Sequence, residues 1–453
     1  MKRHIITLLL LLLACGAWAQ DTFYYKGGKK YPLSVSKARN AIETYKSPNG
    51  DYMEASGYLY VKLKSLNDKE VLERTAKSYG LIVIEQNKFM PLWFVLKKEN
   101  STRGKSLDIA NSLYETGLFE ECAPDLSFDG REISYDPFAK EQWNLYNDRD
   151  DKYSKKGVDI NISDAWNYAT GKGVVIAIVD NGVELTHKDL ATNIYHKSYD
   201  ARSGTSPSKV YLGTGMDYHA THCAGIAAAV RNNGFGIAGV APDAKIMSVS
   251  EDFGANSLRD YNLANGIMWA WKNGADIISC SWGLFDASDL VTAAIDSALT
   301  KGRDGKGCIV VKSAGNNGKD ITFPGNVYGV ITVANIAPDG GWYYTSSHGD
   351  NLFVSAPGTN IPSTVLNDSI ESHMGTSMAA PHVSGVAALM LERNPDLTVW
   401  QVREIIARTA RRLDTMPSGI RKAWGQWDEY YGYGLLNARD AVLMSIEYNN
   451  GKE

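Results

Sequence analysis

VVIAIVDNG, residues 174–182, is an unbroken apolar run that ends in an acidic residue and a short polar turn. An apolar run without alternation is typical of a strand that is buried on both faces of a parallel sheet. Three later runs have the same character: DIIS (276–279), CIVVKSA (308–314) and VITVANI (330–336). Helix-like apolar spacing lies between these runs, at 219–230, 256–273 and 288–301. The alternation predicts an α/β fold in three layers, with helices on both faces of a parallel sheet.

The region before residue 136 has a different rhythm and predicts a small α+β domain over 20–135. Residues 20–50 are polar and rich in Lys, Tyr and Gly, which predicts a loose arm. The following segments predict strand, helix, two strands, helix and strand: YLYVKL (58–63), NDKEVLERTAKSYG (67–80), LIVIEQ (81–86), LWFVLKK (92–98), SLDIANSLYETGLFE (106–120) and APDLSF (123–128). REISYDPFAKEQWNLYND (131–148) predicts an irregular linker. The α/β domain is then expected over 136–447, followed by a tail at 448–453.

Length and composition describe an ordinary globular chain with room for two or three domains. The chain has 453 residues, of which 44% are hydrophobic and 22% are charged, and its formal net charge is −4. This charge provides no basic surface for nucleic acid or for an acidic membrane face. The four cysteines after the N-terminal segment are scattered, which predicts buried small hydrophobes and leaves one disulfide open: Cys122, Cys223, Cys280 and Cys308.

The first twenty residues, MKRHIITLLLLLLACGAWAQ, combine a basic start, a short apolar core and a small-x-small ending. This pattern predicts a secretory signal peptide over 1–19, cleaved after Ala19, and therefore an exported protein at the cell surface, in the periplasm or in the medium. An alternative is a lipoprotein signal in which Cys15 carries the lipid. No later run is long and apolar enough for a transmembrane helix, so we expect no transmembrane segment.

Four candidate catalytic residues stand at strand ends or helix starts, where the functional groups of parallel sheets gather: Asp180, His219, Asn316 and Ser377. Each has a plain structural alternative, such as a turn, a helix cap or core packing. His219 and His222 are also spaced for zinc, but no third ligand stands at a fixed spacing. Together the four residues supply every role of acyl transfer: a nucleophile, a base, a carboxylate that orients the base and a donor to the oxyanion.

Four blocks resemble the signature blocks of the subtilisin-like serine endopeptidases: DNGVELTHKDL (180–190), HATHCAG (219–225), SAGNNG (313–318) and GTSMAAPHVSG (375–385). The chain order Asp, His, Ser is also that of subtilisin. The resemblance covers 140–447 and implies an exported serine endopeptidase, made as a zymogen, that acts through an acyl-enzyme. It implies a triad of Asp180, His219 and Ser377, with Asn316 as oxyanion donor. Two neighbours depart from the family pattern, since Ala220 replaces the usual Gly, and Asn181 the usual Ser, Thr or Asp.

The resemblance also implies a pocket for the substrate residue before the scissile bond. SCSWG (279–283) resembles the segment that pairs with an extended substrate. One wall is then formed by Ser281, Trp282 and Gly283, the other by Lys312, Ser313, Ala314 and Gly315, and the floor by Thr322. Three segments resemble the kexin and furin branch of the family: HxTxCAG, VRNNGFGI and DPFAKEQW. That branch cuts after basic residues by means of acidic pocket groups. Because Thr322 is neutral and the chain ends soon after GYGLLNARDAV, without that branch's extra β domain, we expect no strict Arg or Lys preference.

The same blocks imply one structural calcium site and no organic cofactor. The implied ligands are the side chains of Asp136, Asp189 and Asn233 and the carbonyls of Val230, Phe235 and Ile237. An oxygen-only set with two carboxylates suits Ca²⁺. The alternative is a solvated loop without an ion.

Residues 20–135 resemble the propeptide of this family in position and in α+β order. They are expected to assist folding and to block the cleft until a cut between about 125 and 140; the alternative is a permanent interaction domain. We expect a monomer that acts on peptides or proteins. Two other classes stay open: a pseudoprotease that binds peptides without cutting, which Ala220 favours, and a nucleotide-binding oxidoreductase, although no GxGxxG follows GKGVVIAIVDNG.

Overall fold

The structure is a computed structural model that describes residues 22–35, 44–46, 52–88, 90–99, 102, 104–128, 134–213, 215–254, 257–284 and 286–448. The chain divides into two compact units, Met1–Asp129 and Gly130–Glu453. The predicted signal peptide and Cys15 lie outside the described residues, and the predicted domain limits of 136 and 447 stay predictions. None of the helices in the described ranges has the length and apolar character needed to cross a membrane.

The first unit is an antiparallel sheet with two helices. Its strands are β1 Thr22–Lys26, β2 Lys29–Val35, β3 Thr44–Lys46, β4 Tyr52–Lys62, β5 Leu81–Gln86, β6 Trp93–Lys98 and β7 Glu121–Phe128, and its helices are α1 Lys69–Ser78 and α2 Ser106–Glu115. The long strand β4 pairs with β3, β6 and β7. Leu59, Leu72, Phe94 and Leu113 are buried in its core. The strand and helix order predicted for 58–128 is confirmed.

Two expectations for this unit were wrong. Residues 20–50 were expected to be a loose arm, but β1 and β2 form a hairpin in which Thr22 pairs with Leu33. Aromatic residues have high β propensity, and these strands contain four of them in a polar segment: Phe23, Tyr24, Tyr25 and Tyr31. The helix expected over 106–120 ends at Glu115, shortly before Gly117, whose φ of 67° is left-handed.

The second unit contains a parallel sheet of seven strands in the order β14-β13-β12-β11-β8-β10-β9. These strands are β8 Val175–Asp180, β9 Tyr199–Asp200, β10 Lys245–Ser250, β11 Ile277–Cys280, β12 Ile309–Ser313, β13 Ile331–Ile336 and β14 Val354–Pro357. Two hairpins add β15 Ile361–Val365 with β16 Ser369–His373 and β17 Ile420–Lys422 with β18 Gly425–Trp427. The helices are α3 Ile162–Ala165, α4 His219–Ala228, α5 Arg259–Lys272, α6 Asp289–Lys301, α7 Thr376–Arg393, α8 Val399–Thr409 and α9 Ala438–Glu447.

Helices cover both faces of this sheet, as the sequence predicts. The Ser384 hydroxyl of α7 donates to Ser279 of β11, whose register partner on β8 is Ile178. The next residue of β8, Val179, faces α5. A Cβ atom added at Gly266 of α5 would lie 3.9 Å from Cγ1 of Val179. Because successive strand residues point to opposite faces, α7 and α5 lie on opposite sides of the sheet. The three-layer α/β fold is confirmed.

The segment 131–148 was expected to be a linker, but its described part, 134–148, belongs to the second unit. Gln142, Asn144 and Leu145 are buried. The Gln142 side chain donates to the carbonyl of Ala238 at 2.8 Å and accepts from the Ala238 N–H at 2.9 Å. These paired bonds satisfy a buried backbone segment, which explains why a polar stretch lies in the interior.

Candidate active site

Asp180 and His219 form a buried pair at the carboxyl end of the central strand. Asp180 ends β8 and His219 begins α4. The Nδ1 atom of His219 lies 2.9 Å from Oδ1 and 3.0 Å from Oδ2 of Asp180. Burial lowers the pKa of His219, but the charge and the hydrogen bond of Asp180 outweigh it, so the pKa stands above its usual value. The carboxylate therefore holds Nδ1 protonated and leaves Nε2 as the basic nitrogen.

Asn181 joins the strand end to the start of the histidine helix. Its backbone N–H donates to Asp180 Oδ1 at 2.8 Å, and its side-chain oxygen accepts from the N–H of Ala220 at 2.9 Å. Its side-chain nitrogen donates to the carbonyl of Met216 at 2.8 Å. The departure from the family pattern at residue 181 thus fills the hydrogen-bonding role of a helix-start residue. Ala220 is fully buried.

Ser377 is the second residue of α7, directly after Gly375 and Thr376. Gly375 has a φ of 142°, and a Cβ there would lie 3.1 Å from the side-chain nitrogen of Asn316. A glycine is therefore needed for the close approach between the loop and Asn316. The Ser377 hydroxyl donates to the carbonyl of Ser281 at 2.9 Å rather than to His219. Catalytic hydrogen bonds are often incomplete without substrate, and a rotation about the Cα–Cβ bond redirects this hydroxyl.

The amide of Asn316 has a fixed orientation. Its Oδ1 accepts two hydrogen bonds from Thr376, one from the backbone N–H and one from the hydroxyl, each 2.9 Å long. The Thr376 hydroxyl also accepts from the N–H of Gly315 at 3.1 Å. Since Oδ1 is occupied, the NH₂ group is presented on the other side of the amide, next to Gly375. This is a donor beside the first turn of α7, where the helix dipole also favours negative charge.

The residues expected to form the pocket lie together at the ends of β11 and β12. A Cβ at Gly283 would lie 2.5 Å from Thr322 Oγ1, and a Cβ at Gly315 would lie 3.0 Å from the same atom. Thr322 therefore stands between the two walls. The Ser281 hydroxyl donates to the carbonyl of Ser377 at 2.9 Å, and the Trp282 indole donates to Val179 at 2.8 Å. Ser313 and Ala314 are buried, and the Thr322 N–H donates to the carbonyl of Ala314 at 2.9 Å.

Comparison with known proteins identifies the family of this site. The model of the subtilase family matches residues 171–434. The chain belongs to the subtilase family. It is 31% identical over 433 residues to a calcium-dependent protease of Nostoc sp., a match that covers 86% of this chain and 63% of that protein. The chain thus spans less than two thirds of this relative.

Two further matches are also to proteases. This subtilase is 35% identical to kexin of Saccharomyces cerevisiae over 337 residues, which cover 70% of this chain and 40% of kexin. The structure of a protease from Pseudoalteromonas arctica superposes with a TM-score of 0.58 at 31% identity, covering 69% of this chain and 100% of that structure. The expected resemblance to subtilisin-like serine proteases, including kexin, is confirmed.

Two cysteines and a histidine near the Asp180–His219 pair of this subtilase behave as core residues. Cys223 lies so close that its Sγ, an Asp180 oxygen and a His219 nitrogen are within 4.8 Å of one another. Its thiol donates to the carbonyl of Ser377 at 3.4 Å, and burial raises its pKa. The Nε2 of His222 lies 3.1 Å from the carbonyl of Glu371, and burial lowers the pKa of His222 to about 3. Cys223, Cys280 and the other two described cysteines are buried free thiols.

The residues implied as calcium ligands lie together in the second unit. Asp189 accepts from the Asn233 side chain at 2.7 Å and from the N–H of Ile237 at 2.8 Å, and its carbonyl accepts from Val230 at 2.9 Å. Asp136 accepts from the N–H of Gly234 at 3.0 Å. The Asn233 side-chain oxygen accepts from Phe235 at 2.8 Å. The loop 230–237 therefore wraps both carboxylates.

The charge of this cluster fits a divalent cation. Asp136 and Asp189 are both buried, and burial together with the charge of Asp136 raises the pKa of Asp189 to about 7. Two buried carboxylates repel each other when both are charged, and a cation that lies between them stabilises both. All six implied ligands offer oxygen atoms, which is the donor type that Ca²⁺ prefers.

Proposed function

We propose that this subtilase is a serine endopeptidase that cleaves peptide bonds through an acyl-enzyme. The observation that supports it most strongly is that Cys223 links two parts of the site: its Sγ lies within 4.8 Å of atoms of Asp180 and His219 and donates to the carbonyl of Ser377 at 3.4 Å. Thr376, the residue before Ser377, holds the amide of Asn316. His219 Nε2 takes the proton of Ser377 Oγ as that oxygen attacks the carbonyl carbon of the substrate. The protonated ring then gives the proton to the leaving amine, and water later repeats the attack on the acyl-enzyme.

The oxyanion of each tetrahedral intermediate receives hydrogen bonds from the Asn316 NH₂ and from the backbone N–H of Ser377. Both donors are held before the reaction begins, by Thr376 on one side and by the helix start on the other. Donors that need no reorganisation at the moment of reaction contribute most to the rate. Asp180 stabilises the imidazolium through the two contacts to Nδ1.

The substrate binds as an extended strand beside residues 281–283, and its side chain before the scissile bond enters the pocket between Gly283 and Gly315. Backbone pairing of this kind accepts many sequences, and the pocket supplies selectivity. Thr322 offers a hydroxyl and no charge, which does not favour a strict requirement for Arg or Lys.

The protein is exported and made as a zymogen, with the unit before residue 129 as its pro-region. The α+β unit has a core of its own, as a folded inhibitor and folding aid requires. Asp136 accepts from the backbone of Gly234 and also from Ser134. A cut before Ser134 keeps these bonds, so we place the processing site there. Calcium, held by the two carboxylates and the 230–237 loop, stabilises the mature enzyme.

Self-processing and hydrolysis test this function together. Purified wild-type protein is expected to lose about 12–13 kDa beyond its signal, at about 110 Da per residue, and to degrade an unstructured protein substrate. A Ser377→Ala variant should do neither. If the wild type, freed of its N-terminal unit by a second protease, binds the substrate peptides but leaves them intact, the chain is a peptide-binding pseudoprotease.

A further inference from the structure

Lys312 is a buried lysine beside the substrate pocket. It lies in β12, one residue before Ser313, and it is fully buried. Its ammonium group donates to the carbonyl and to the hydroxyl of Ser313, the latter at 3.1 Å, and lies 3.5 Å from Oγ1 of Thr322. Lysine is almost never fully buried unless it is paired. The position of this amine therefore needs an explanation.

The amine reaches the floor of the pocket and not only its wall. Thr322 is the residue that approaches both Gly283 and Gly315, with distances of 2.5 Å and 3.0 Å to the Cβ positions of those glycines. An ammonium has three donors. Two of them are directed to Ser313 at hydrogen-bonding distance, and the contact to Thr322 is at the long limit. The third donor is thus directed to Thr322, the residue expected at the floor of the pocket.

The charge of Lys312 has no carboxylate counterpart among the residues that the structure describes. The titratable group that acts on it is the thiol of Cys280, its register partner on β11. Burial raises the pKa of Cys280 to about 12, so this thiol is neutral. Ser313 and Thr322 do not titrate. Burial without a carboxylate lowers the pKa of Lys312 to about 7.

We propose that Lys312 is a specificity-determining residue, and that the pocket selects a substrate residue with a carboxylate side chain, aspartate or glutamate, before the scissile bond. The proposal rests on the proposed peptidase function. A buried carboxylate and a buried ammonium each lose hydration, and they offset this loss when they form a charge-assisted hydrogen bond. A basic side chain meets a like charge in the same place, so Lys312 and the neutral Thr322 both disfavour cleavage after Arg or Lys.

The preference depends on pH with a definite sign. The amine is protonated below its pKa of about 7, and a glutamate side chain is ionised above about 4.3. Both charges are present between these values, so the preference is largest there. It declines at higher pH as Lys312 loses its proton.

Matched peptide pairs test the proposal. The pairs differ only in the residue before the scissile bond, Glu against Gln and Asp against Asn, and the measured quantity is the ratio of kcat/KM within each pair. For wild-type protein we expect the acidic member to be cleaved about tenfold faster or more at pH 6, as charged hydrogen bonds indicate. At pH 9 the ratio should approach one.

Two variants distinguish the effect of the Lys312 charge from that of a lysine charge elsewhere on the protein. Lys312→Met keeps the length of the buried side chain and removes the charge, so its ratio should be near one at both pH values. Lys319→Met removes an exposed lysine of the following loop and should keep the wild-type ratio. The wild-type pH series needs no variant and stands as a test even when Lys312→Met does not fold.

The outcomes distinguish the two proposals. If wild-type protein cleaves the Gln peptide but the ratio of kcat/KM for Glu over Gln is one or less at pH 6, the role of Lys312 is overturned. The proposed peptidase function then still stands. If Lys312→Met keeps the wild-type ratio of kcat/KM for acidic over amide peptides, the role of Lys312 is also overturned. No cleavage of any peptide by processed wild-type protein removes the peptidase function and, with it, the inference.

Discussion

Thr376 orients Asn316: the backbone N–H and the hydroxyl of Thr376 both donate to Oδ1 of Asn316, each at 2.9 Å. The residue next to Ser377, the proposed nucleophile, thus decides which end of the Asn316 amide is free to donate to a substrate. The same hydroxyl accepts from the N–H of Gly315, a wall residue of the pocket. The proposed oxyanion donor and the expected pocket wall are therefore joined through one buried side chain.

Replacing Thr376 by Val tests this relationship. The variant keeps the shape of the buried side chain but loses one of the two donors to Asn316 and the acceptor of Gly315. We expect kcat to fall about tenfold, because one hydrogen bond contributes about 1–1.5 kcal/mol, with a smaller change in KM. Thr376→Ser, which keeps the hydroxyl, should retain most of the activity. Equal losses in both variants would show that the hydroxyl has no such role.

Removing the Asn316 donor should have a larger effect. Asn316→Ala is expected to lower kcat on the order of 100- to 1000-fold, the range given for the equivalent donor in subtilisin itself. Steady-state kinetics with one peptide substrate measure this, and circular dichroism checks the fold. A loss confined to KM would contradict a role in the transition state.

The acid side of the pH–rate profile should report His219. The base must be neutral, and Asp180 holds the pKa of His219 above its usual value of 6.5. We therefore expect kcat/KM to rise with pH through an apparent pKa above 6.5. In Asp180→Asn, burial alone acts on the ring, so this limb should move to lower pH while kcat falls by about 10⁴-fold. An unchanged limb in the variant would assign the titration to another group.

Calcium removal should destabilise the protein through Asp136 and Asp189. At a calcium concentration about 100 times the Kd, binding contributes about 2.7 kcal/mol to stability, so EGTA should lower Tm by about 5 °C or more. Asp189→Asn should respond much less to EGTA. Asp414→Asn, in which the side chain is 97% exposed, serves as the control and should respond like wild type. An equal Tm with and without EGTA in wild type would remove the site.

Cleavage of a random peptide library tests the expected absence of a basic requirement. The site should release products whose residue before the cut is not restricted to Arg or Lys, since neither Thr322 nor Lys312 attracts a cation. Cleavage only after dibasic pairs would align this subtilase with the specificity of the kexin and furin branch and would overturn both assignments of the pocket.

The sequence predicts those parts of the fold in which local pattern and burial agree. Unbroken apolar runs identify β8, β12 and β13, and apolar spacing identifies α4 to α6. The sequence does not predict the strand Lys245–Ser250, because two serines interrupt its apolar run, or the strand Val354–Pro357, which is short and ends in proline. Both lie in the sheet because tertiary pairing overrides weak local preference.

Some features of the candidate site can likewise be predicted from the sequence, and others cannot. The four candidate residues were found from motifs, because each motif is continuous along the chain. The bridge that Asn181 makes to Ala220 and Met216, and the reach of Lys312 to Thr322, depend on contacts between segments distant in sequence. The neighbours of Lys312 in the sequence predict a place in the pocket wall, whereas only the folded chain brings its amine to Thr322 at the expected floor.

Active-site labelling shows whether Ser377 is an activated nucleophile. Wild-type protein and Ser377→Ala, each freed of the N-terminal unit, would be treated with a fluorophosphonate probe and digested, and the adduct would be located by mass spectrometry. We predict an adduct on Ser377 in wild type and none in the variant. Absence of labelling in both proteins would contradict this prediction and would leave a peptide-binding subtilase, with Ala220→Gly as the first variant in which to look for activity.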